Sequence, residues 1–251
     1  MKYLSLLILL YIVTSPLAAQ TCTVSTLKFK PGPKYFNRTD STLKYPVVAV
    51  KDKKVSEKIN SLIRSELIDA EYSELSVQDA MRASLENGLT SMSYNITFNR
   101  EGIFSLTVDA ESCGAYCSGW SRYLNFDLNT GEALTLDDLL KNGASGRLKE
   151  MVYADKVNAI HAYKKEMSEN LSQKGIDSSD YRWAMGEVDG HCINTIRMDA
   201  FSLTDSTLEI KDRCEFPHAI QSQAPFYELR YNYKQLVEYI RESYLAKLIG
   251  N

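Results

Sequence analysis

The sequence is 251 residues long, 44% hydrophobic and 24% charged, with a formal net charge of −3. That supplies enough apolar residues for a sizeable core, and 16 Tyr, 8 Phe and 2 Trp exclude a disordered chain. A near-balanced charge with no basic cluster excludes a nucleic-acid binder held by phosphate contacts.

Residues 1–19, MKYLSLLILLYIVTSPLAA, read as a cleaved signal peptide. Lys2 gives the positive start, Leu4 to Val13 the apolar run, Pro16 the helix break and Ala18-Ala19 the small residues before the cut. The run falls short of the ~20 residues a spanning helix needs. A periplasmic or secreted chain starting at Gln20 is therefore expected, touching the membrane only through its export signal; an uncleaved anchor is the alternative.

Cys22 to Lys30 alternates polar and apolar residues and predicts a first strand, ended by Pro31-Gly32-Pro33. Leu43 to Val50 predicts a second, with Pro46 marking an edge or bulge. Val55, Ile59, Leu62, Ile63 and Leu67 fall at helical spacing, so an amphipathic helix is expected over 56–72. Ser76 then caps a second helix over 77–86, stopped by Gly88. Met92, Tyr94, Ile96 and Phe98 alternate, a turn falls at Asn99–Gly102, and Phe104, Leu106 and Val108 return. After a cysteine-bearing loop, Leu124, Phe126 and Leu128 complete a meander with one apolar face. Thr135 is placed to cap a helix start at Leu136–Leu140. A longer helix is expected over 148–167, a polar loop with a helical turn over 168–190, a hairpin from 193–203 and 207–211, a last strand over 227–231 and a closing helix over 234–248. In that closing helix Leu236, Val237, Ile240, Tyr244 and Leu248 should face inward. The fold class is α+β: an antiparallel sheet meander packed by amphipathic helices on one side. A single domain over 20–251 accommodates this order, and so do two fused sheet-plus-helix lobes, 20–145 and 146–251.

The stretch Tyr123 to Leu140, YLNFDLNTGEALTLDDLL, resembles the signature of the RsiV-like and PdaC N-terminal-like bacterial extracytoplasmic domain. Tyr45-Pro46 with Lys58-Ile59-Asn60 looks like the opening strand and helix of that family, and Phe226 to Tyr239 like its closing pair. The resemblance implies one α+β extracytoplasmic domain, an envelope setting, and recognition of a lysozyme-like protein or a peptidoglycan component. Its motif is structural: Phe126 and Leu128 seat a strand, Gly131 turns, and Thr135 caps. This chain departs from the family at Cys117-Ser118-Gly119-Trp120, where members commonly carry Gly-Gly-Ala-His. Neither the anti-sigma nor the deacetylase segment that accompanies the family domain is recognisable in these 251 residues.

Five cysteines admit several pairings. The expected one joins Cys113 to Cys117 and Cys192 to Cys214, the latter across two successive strands, and leaves Cys22 free or bonded to another chain. His191-Cys192 with Cys214 and His218 could hold zinc, but an oxidising compartment favours a disulfide, so no metal and no cofactor are expected. Cys113-x-x-x-Cys117 exceeds the redox C-x-x-C spacing by one residue. His161, His191 and His218 stand beside no G-x-S-x-G or H-E-x-x-H motif, and no catalytic residue is assigned. Binding is expected instead at aromatic residues in loops: Tyr116, Trp120 and Tyr123 around the cysteine loop, and Trp183 in the polar stretch. A non-catalytic envelope binding domain is the first reading. A wall-glycan hydrolase or deacetylase, and a disulfide-linked structural protein, are the alternatives.

Overall fold

The computed structural model describes residues 20–30, 43–174, 178–217, 220–221 and 224–250; of these, the side chains at 170–174, 178 and 180 are not described. The expected signal peptide, the Pro31-Gly32-Pro33 break and His218 lie outside the described residues. The described residues form three antiparallel sheets. β1 (Thr23–Phe29) pairs with β2 (Leu43–Ala49); β3 (Leu89–Arg100), β4 (Ile103–Cys113) and β5 (Cys117–Asp127) form a meander; β6 (Phe201–Leu203), β7 (Thr207–Arg213) and β8 (Phe226–Asn232) form the third. The helices are α1 (Lys53–Leu67), α2 (Val77–Glu86), α3 (Leu136–Leu139), α4 (Ala144–Lys174), α5 (Ser178–Glu187) and α6 (Glu242–Ile249). The fold is α+β, in line with the alternation and helical spacing of the sequence.

The first core is built as the pattern requires. Val55, Ile59, Ile63 and Leu67 of α1 and Ala80, Met81 and Leu85 of α2 are buried with Phe104, Leu106, Val108 and Phe126 of the meander. α1 starts three residues earlier than the apolar spacing indicates. The Asp52 carboxylate accepts hydrogen bonds from the Lys54 and Val55 amides, a polar cap that a count of apolar residues does not register. It also stops earlier, at Ile68; Ala70–Tyr72 is a separate 3-10 turn. α2 and its Ser76 cap stand where expected.

The β3–β4 turn is tighter than expected: Glu101 and Gly102 alone form it, both at positive φ (53° and 76°), as a two-residue hairpin of this hand requires. The alternation of β3 breaks before that turn. Ile96 pairs with Leu106, but Phe98 pairs with Ser105, so Thr97 is an extra residue in the strand. Beyond this bulge Phe98 leaves the face of Met92 and points to the opposite one. There it packs with Ile103 in a second core made of Leu136, Leu139, Leu148, Phe201, Leu208, Tyr233 and Leu236, among others. The meander therefore has two buried faces at its turn end, where a single apolar face was expected.

The second half departs most from expectation. The described residues within 168–190 are helical where a loop with one helical turn was expected: α4 continues to Lys174, and α5 starts at Ser178 and runs into a π-turn at Val188–Cys192. Among the described side chains from 168 to 192, only Ala184, Val188 and Cys192 are fully buried, a stripe too thin to stand out in a polar sequence. Ile193–Ala200 is not a strand, so Cys192 closes the π-turn against the residue after β7 rather than bridging two strands. The closing helix is broken. Tyr233–Leu236 is a 3-10 turn whose Asn232 cap is closed by Gln235, and α6 begins only at Glu242. Between them Ile240 forms a β-bridge with Leu140, and the Lys141 and Arg241 amides bond to Tyr239 and Leu139 carbonyls, a pairing incompatible with helix. Val237, expected inward, is 44% exposed in consequence.

Among the described residues, one feature of the second half has no counterpart in the first. The buried stripe of α4 runs Leu148, Val152, Lys156, Ile160, and Lys156 is 1% exposed. Its ammonium reaches the Thr195 carbonyl and lies 2.6 Å from the equally buried Asp212 of β7. Asp212 Oδ2 makes this ion pair without a hydrogen bond of regular geometry. A charge this deep is tolerable only when paired.

Candidate binding cleft

The second and third sheets touch along β6 through side-chain-to-backbone bonds. Asn125 Nδ2 donates to the Phe201 carbonyl (2.9 Å), and the Leu203 amide donates to Ser105 Oγ (3.2 Å). Away from this seam the sheets diverge, and their polar faces line the gap. Strand alternation decides which residues these are. On one wall stand Thr107 and Asp109 of β4 with Ser121 and Tyr123 of β5; on the other stand Ser202, Glu209, Lys211, Glu228 and Phe226. The gap holds two contiguous clefts of about 420 and 440 Å³, and a third of about 470 Å³ follows the outer edge of β5 between α1 and the segment before β6; Ser121 and Tyr123 line all three.

The walls are electrostatically organised. Ser121 Oγ donates to Asp109 at 2.5 Å. Burial pushes the Tyr123 phenol above its ordinary value; the Ser121 hydrogen bond and Arg197 oppose the rise and Asp109 adds to it, so Tyr123 is a neutral donor and acceptor at physiological pH. Across the gap Lys211 bonds to Glu209 at 2.7 Å and pairs with Glu228, and Arg230 pairs with Glu209 at 3.3 Å and Glu228 at 2.8 Å. Four alternating charges on adjacent strands thus hold one another in fixed rotamers. At the far end of the cleft lie Arg122, Arg197 and Arg213. The Arg122 guanidinium stands 5.1 Å from the ring centre of Trp120.

The four aromatic residues expected to bind do not form one cluster. Trp120 and Tyr123 lie in β5, not in a loop, and three residues apart they point to opposite faces. Tyr123 is in the cleft; Trp120 packs toward the first core and also lines the arginine end. Tyr116 is 71% exposed at the tip of the β4–β5 hairpin. Trp183 lies on α5, where its indole N–H donates to Glu187 at 3.0 Å, and it lines none of these clefts. Phe226, exposed in the cleft, was noticed only as part of a closing strand. Ser121, Asp109, Glu209 and Lys211 were missed altogether. Their alternation along strands was visible, but a polar strand face reads as solvent-facing until a second sheet is placed over it.

The cysteines fall as expected: Cys113–Cys117 and Cys192–Cys214 are at bonding distance, with Cα separations of 4.0 and 5.1 Å. Cys22 is buried, its Sγ and amide both donating to Asn99 Oδ1 (3.4 and 3.0 Å). Burial pushes its thiol up to about 12, so little thiolate forms near neutral pH. His161 and His191 are exposed, His191 lying 3.7 Å from Glu187. Among the described residues, the one group of three metal-ligand side chains within reach of one another is Glu111, Cys113 and Cys117, whose two cysteines are paired. No helix of the described residues is long and apolar enough to cross a membrane.

Compared with protein-family models and with curated proteins, the sequence matches none. Among solved structures, it is similar to a member of the DUF3298 family from Bacteroides fragilis. The TM-score is 0.57 at 12% identity, over 92% of this chain and 98% of the other. A DUF3298 family protein from Pseudomonas aeruginosa PAO1 aligns with a TM-score of 0.49 at 14% identity, over 91% of this chain and 96% of the other. At this identity the first likeness concerns the fold alone: the chain has a DUF3298-like architecture over 92% of its length.

Proposed function

We propose that this protein is an exported, non-catalytic binding domain of the bacterial cell envelope, and that its ligand surface is the cleft between the second and third sheets. The ligand is a glycan component of the cell wall. The observation that carries this reading is the make-up of the cleft. Tyr123 and Phe226 offer ring faces, while Ser121, Thr107, Asp109 and Glu209 offer hydroxyl and carboxylate partners on both walls. Sugars present apolar ring faces and dense hydroxyls, and such a surface answers both. The two cysteine pairs fit an oxidising compartment, and the N-terminal segment has the character of an export signal.

Titration of the protein with soluble peptidoglycan fragments, followed by tryptophan fluorescence or calorimetry, tests this. Binding is expected, without turnover of the fragments, and Tyr123→Ala should weaken it roughly tenfold or more, the range for a central aromatic anchor. Binding unchanged in Tyr123→Ala, or no binding at all, would contradict it.

A second reading rests on Tyr116. It is held far out of the surface on a hairpin tip closed by Cys113–Cys117, a rigid aromatic anchor of the kind protein interfaces use. Recognition of a lysozyme-like protein would then fail in Tyr116→Ala in a pull-down, with Tyr123→Ala retaining it.

A further inference from the structure

The cleft is not uniform along its length. At one end its walls are Asn95, Thr97, Thr107, Ser202 and Thr204, neutral amides and hydroxyls, with Glu209 and Glu228 already held by Lys211 and Arg230. At the other end stand Arg197 and Arg213 beside Tyr123 and Phe226, with Arg122 and Trp120 at the margin on the opposite face of β5.

The arginines differ in availability. Arg122 lies on the Trp120 face of β5, over the Trp120 ring and 3.7 Å from Glu66 of α1, and is turned from Tyr123. Arg197 meets Asp199 at 3.6 Å in an exposed pair at the outer limit of ion-pair contact. A pair of this kind contributes little and exchanges readily for a better partner. Arg213 has no ion-pair or hydrogen-bond partner among the described residues. Two carboxylates line this segment: Asp109, which is engaged by Ser121, and the exposed Glu215, which makes no ion pair with Arg197 or Arg213. A planar guanidinium matches a carboxylate with two parallel N–H···O bonds, a fit a lysine does not reproduce.

We infer that the cleft selects a carboxylate-bearing sugar, with the acid group seated between Arg197 and Arg213 and the neutral sugar ring or rings lying over Tyr123 toward the hydroxyl-lined end. This rests on the cleft being the glycan site. The carboxylate could belong to a lactyl ether on an amino sugar or to a uronic acid; the arginine end recognises the acid group common to both.

The test titrates the protein with four probes: a disaccharide carrying a lactyl carboxylate, the same disaccharide with that carboxyl converted to the amide, a uronate-containing disaccharide, and neutral chitobiose. At least one acidic probe should bind about tenfold or more tighter than the amide and chitobiose. That preference should weaken as salt rises and be lost in the Arg197→Gln/Arg213→Gln double variant. Both side chains are exposed, so the variant is expected to fold, and unchanged thermal unfolding checks this. Whichever acidic probe wins identifies the source of the carboxylate. Equal binding of acidic and neutral probes, or a preference that survives in the double variant, would overturn this inference and leave the glycan reading of the cleft standing. Binding of none of the four would overturn both.

Discussion

The two halves of the molecule solve the same packing problem with different chemistry. The first core, around the β3–β5 meander and helices α1 and α2, is closed by aliphatic and aromatic side chains. The interior of the second half holds a buried Lys156–Asp212 pair, the Cys192–Cys214 bridge and a tyrosine, Tyr231, whose hydroxyl donates to Asp155 at 2.9 Å. An apolar interior is non-directional and tolerates rearrangement. A paired charge and a covalent bridge each accept one arrangement of the elements that carry them. The half that builds one wall of the cleft from β7 and β8 is thus the half whose strand and helix positions are fixed by specific polar and covalent links.

The sharpest way to break this contrast is at the ion pair. Lys156→Met leaves Asp212 buried and alone and should cost about 3–5 kcal/mol, whereas Lys156→Met with Asp212→Leu should recover most of that loss. Denaturant unfolding measures both. If the single variant is as stable as the parent, the pair fixes nothing. Phe98→Ala tests whether the bulge at Thr97 couples the halves. A buried Phe lost from the second core should cost about 3–5 kcal/mol. The loss should raise amide exchange in β6 and β7 as well as β3; exchange confined to β3 would show the cores to be independent.

The disulfides come next. Cys192→Ser with Cys214→Ser should destabilise the protein by about 2–4 kcal/mol, because that bridge closes a 22-residue separation. The Cys113→Ser/Cys117→Ser pair closes only four and should cost less. Thermal unfolding of the two variants side by side gives the order; a reversed order would place the greater covalent constraint in the first half.

The smallest effect is expected at the cap of α3. Thr135 and Asp138 form a reciprocal capping box, and the hydrogen bonds from the Thr135 side chain and amide hold the Asp138 carboxyl below the ordinary carboxylate range. A lowered folded value means that its stabilisation is present above the ordinary carboxylate pKa and is lost as pH falls through the lowered one. Thr135→Ala should cost about 0.5–2 kcal/mol at neutral pH. The difference from the parent should shrink in acid, as read by unfolding curves at several pH values.

The same contrast explains how much could be read from the residues. α1, α2, the meander and the capping Thr135 were legible because apolar spacing and turn chemistry agree there with what the core demands. Thr97 was not. A bulge keeps the composition of an alternating strand while reversing the face of every residue beyond it, and Phe98 crossed to another core. α5 and the π-turn after it were not legible because three buried positions, Ala184 in the helix and Val188 and Cys192 in the turn, carry their packing among polar neighbours. Lys156 sits in an apolar stripe, where a charge argues against burial unless its partner on a distant strand is known. The cleft followed the same rule: Tyr123 could be singled out as an aromatic candidate, but Asp109, Glu209 and Lys211 become a site only when two sheets face each other.

Hydrogen–deuterium exchange with and without a wall-derived disaccharide tests the central claim most directly, because it reports where the ligand sits without altering a residue. Binding in the inter-sheet cleft predicts added protection on both walls, over Ser121–Asn125 of β5 and Glu209–Arg213 of β7, with α5 and the Tyr116 hairpin tip unchanged. Protection at the hairpin tip or on α5 with β5 and β7 unaltered would contradict it.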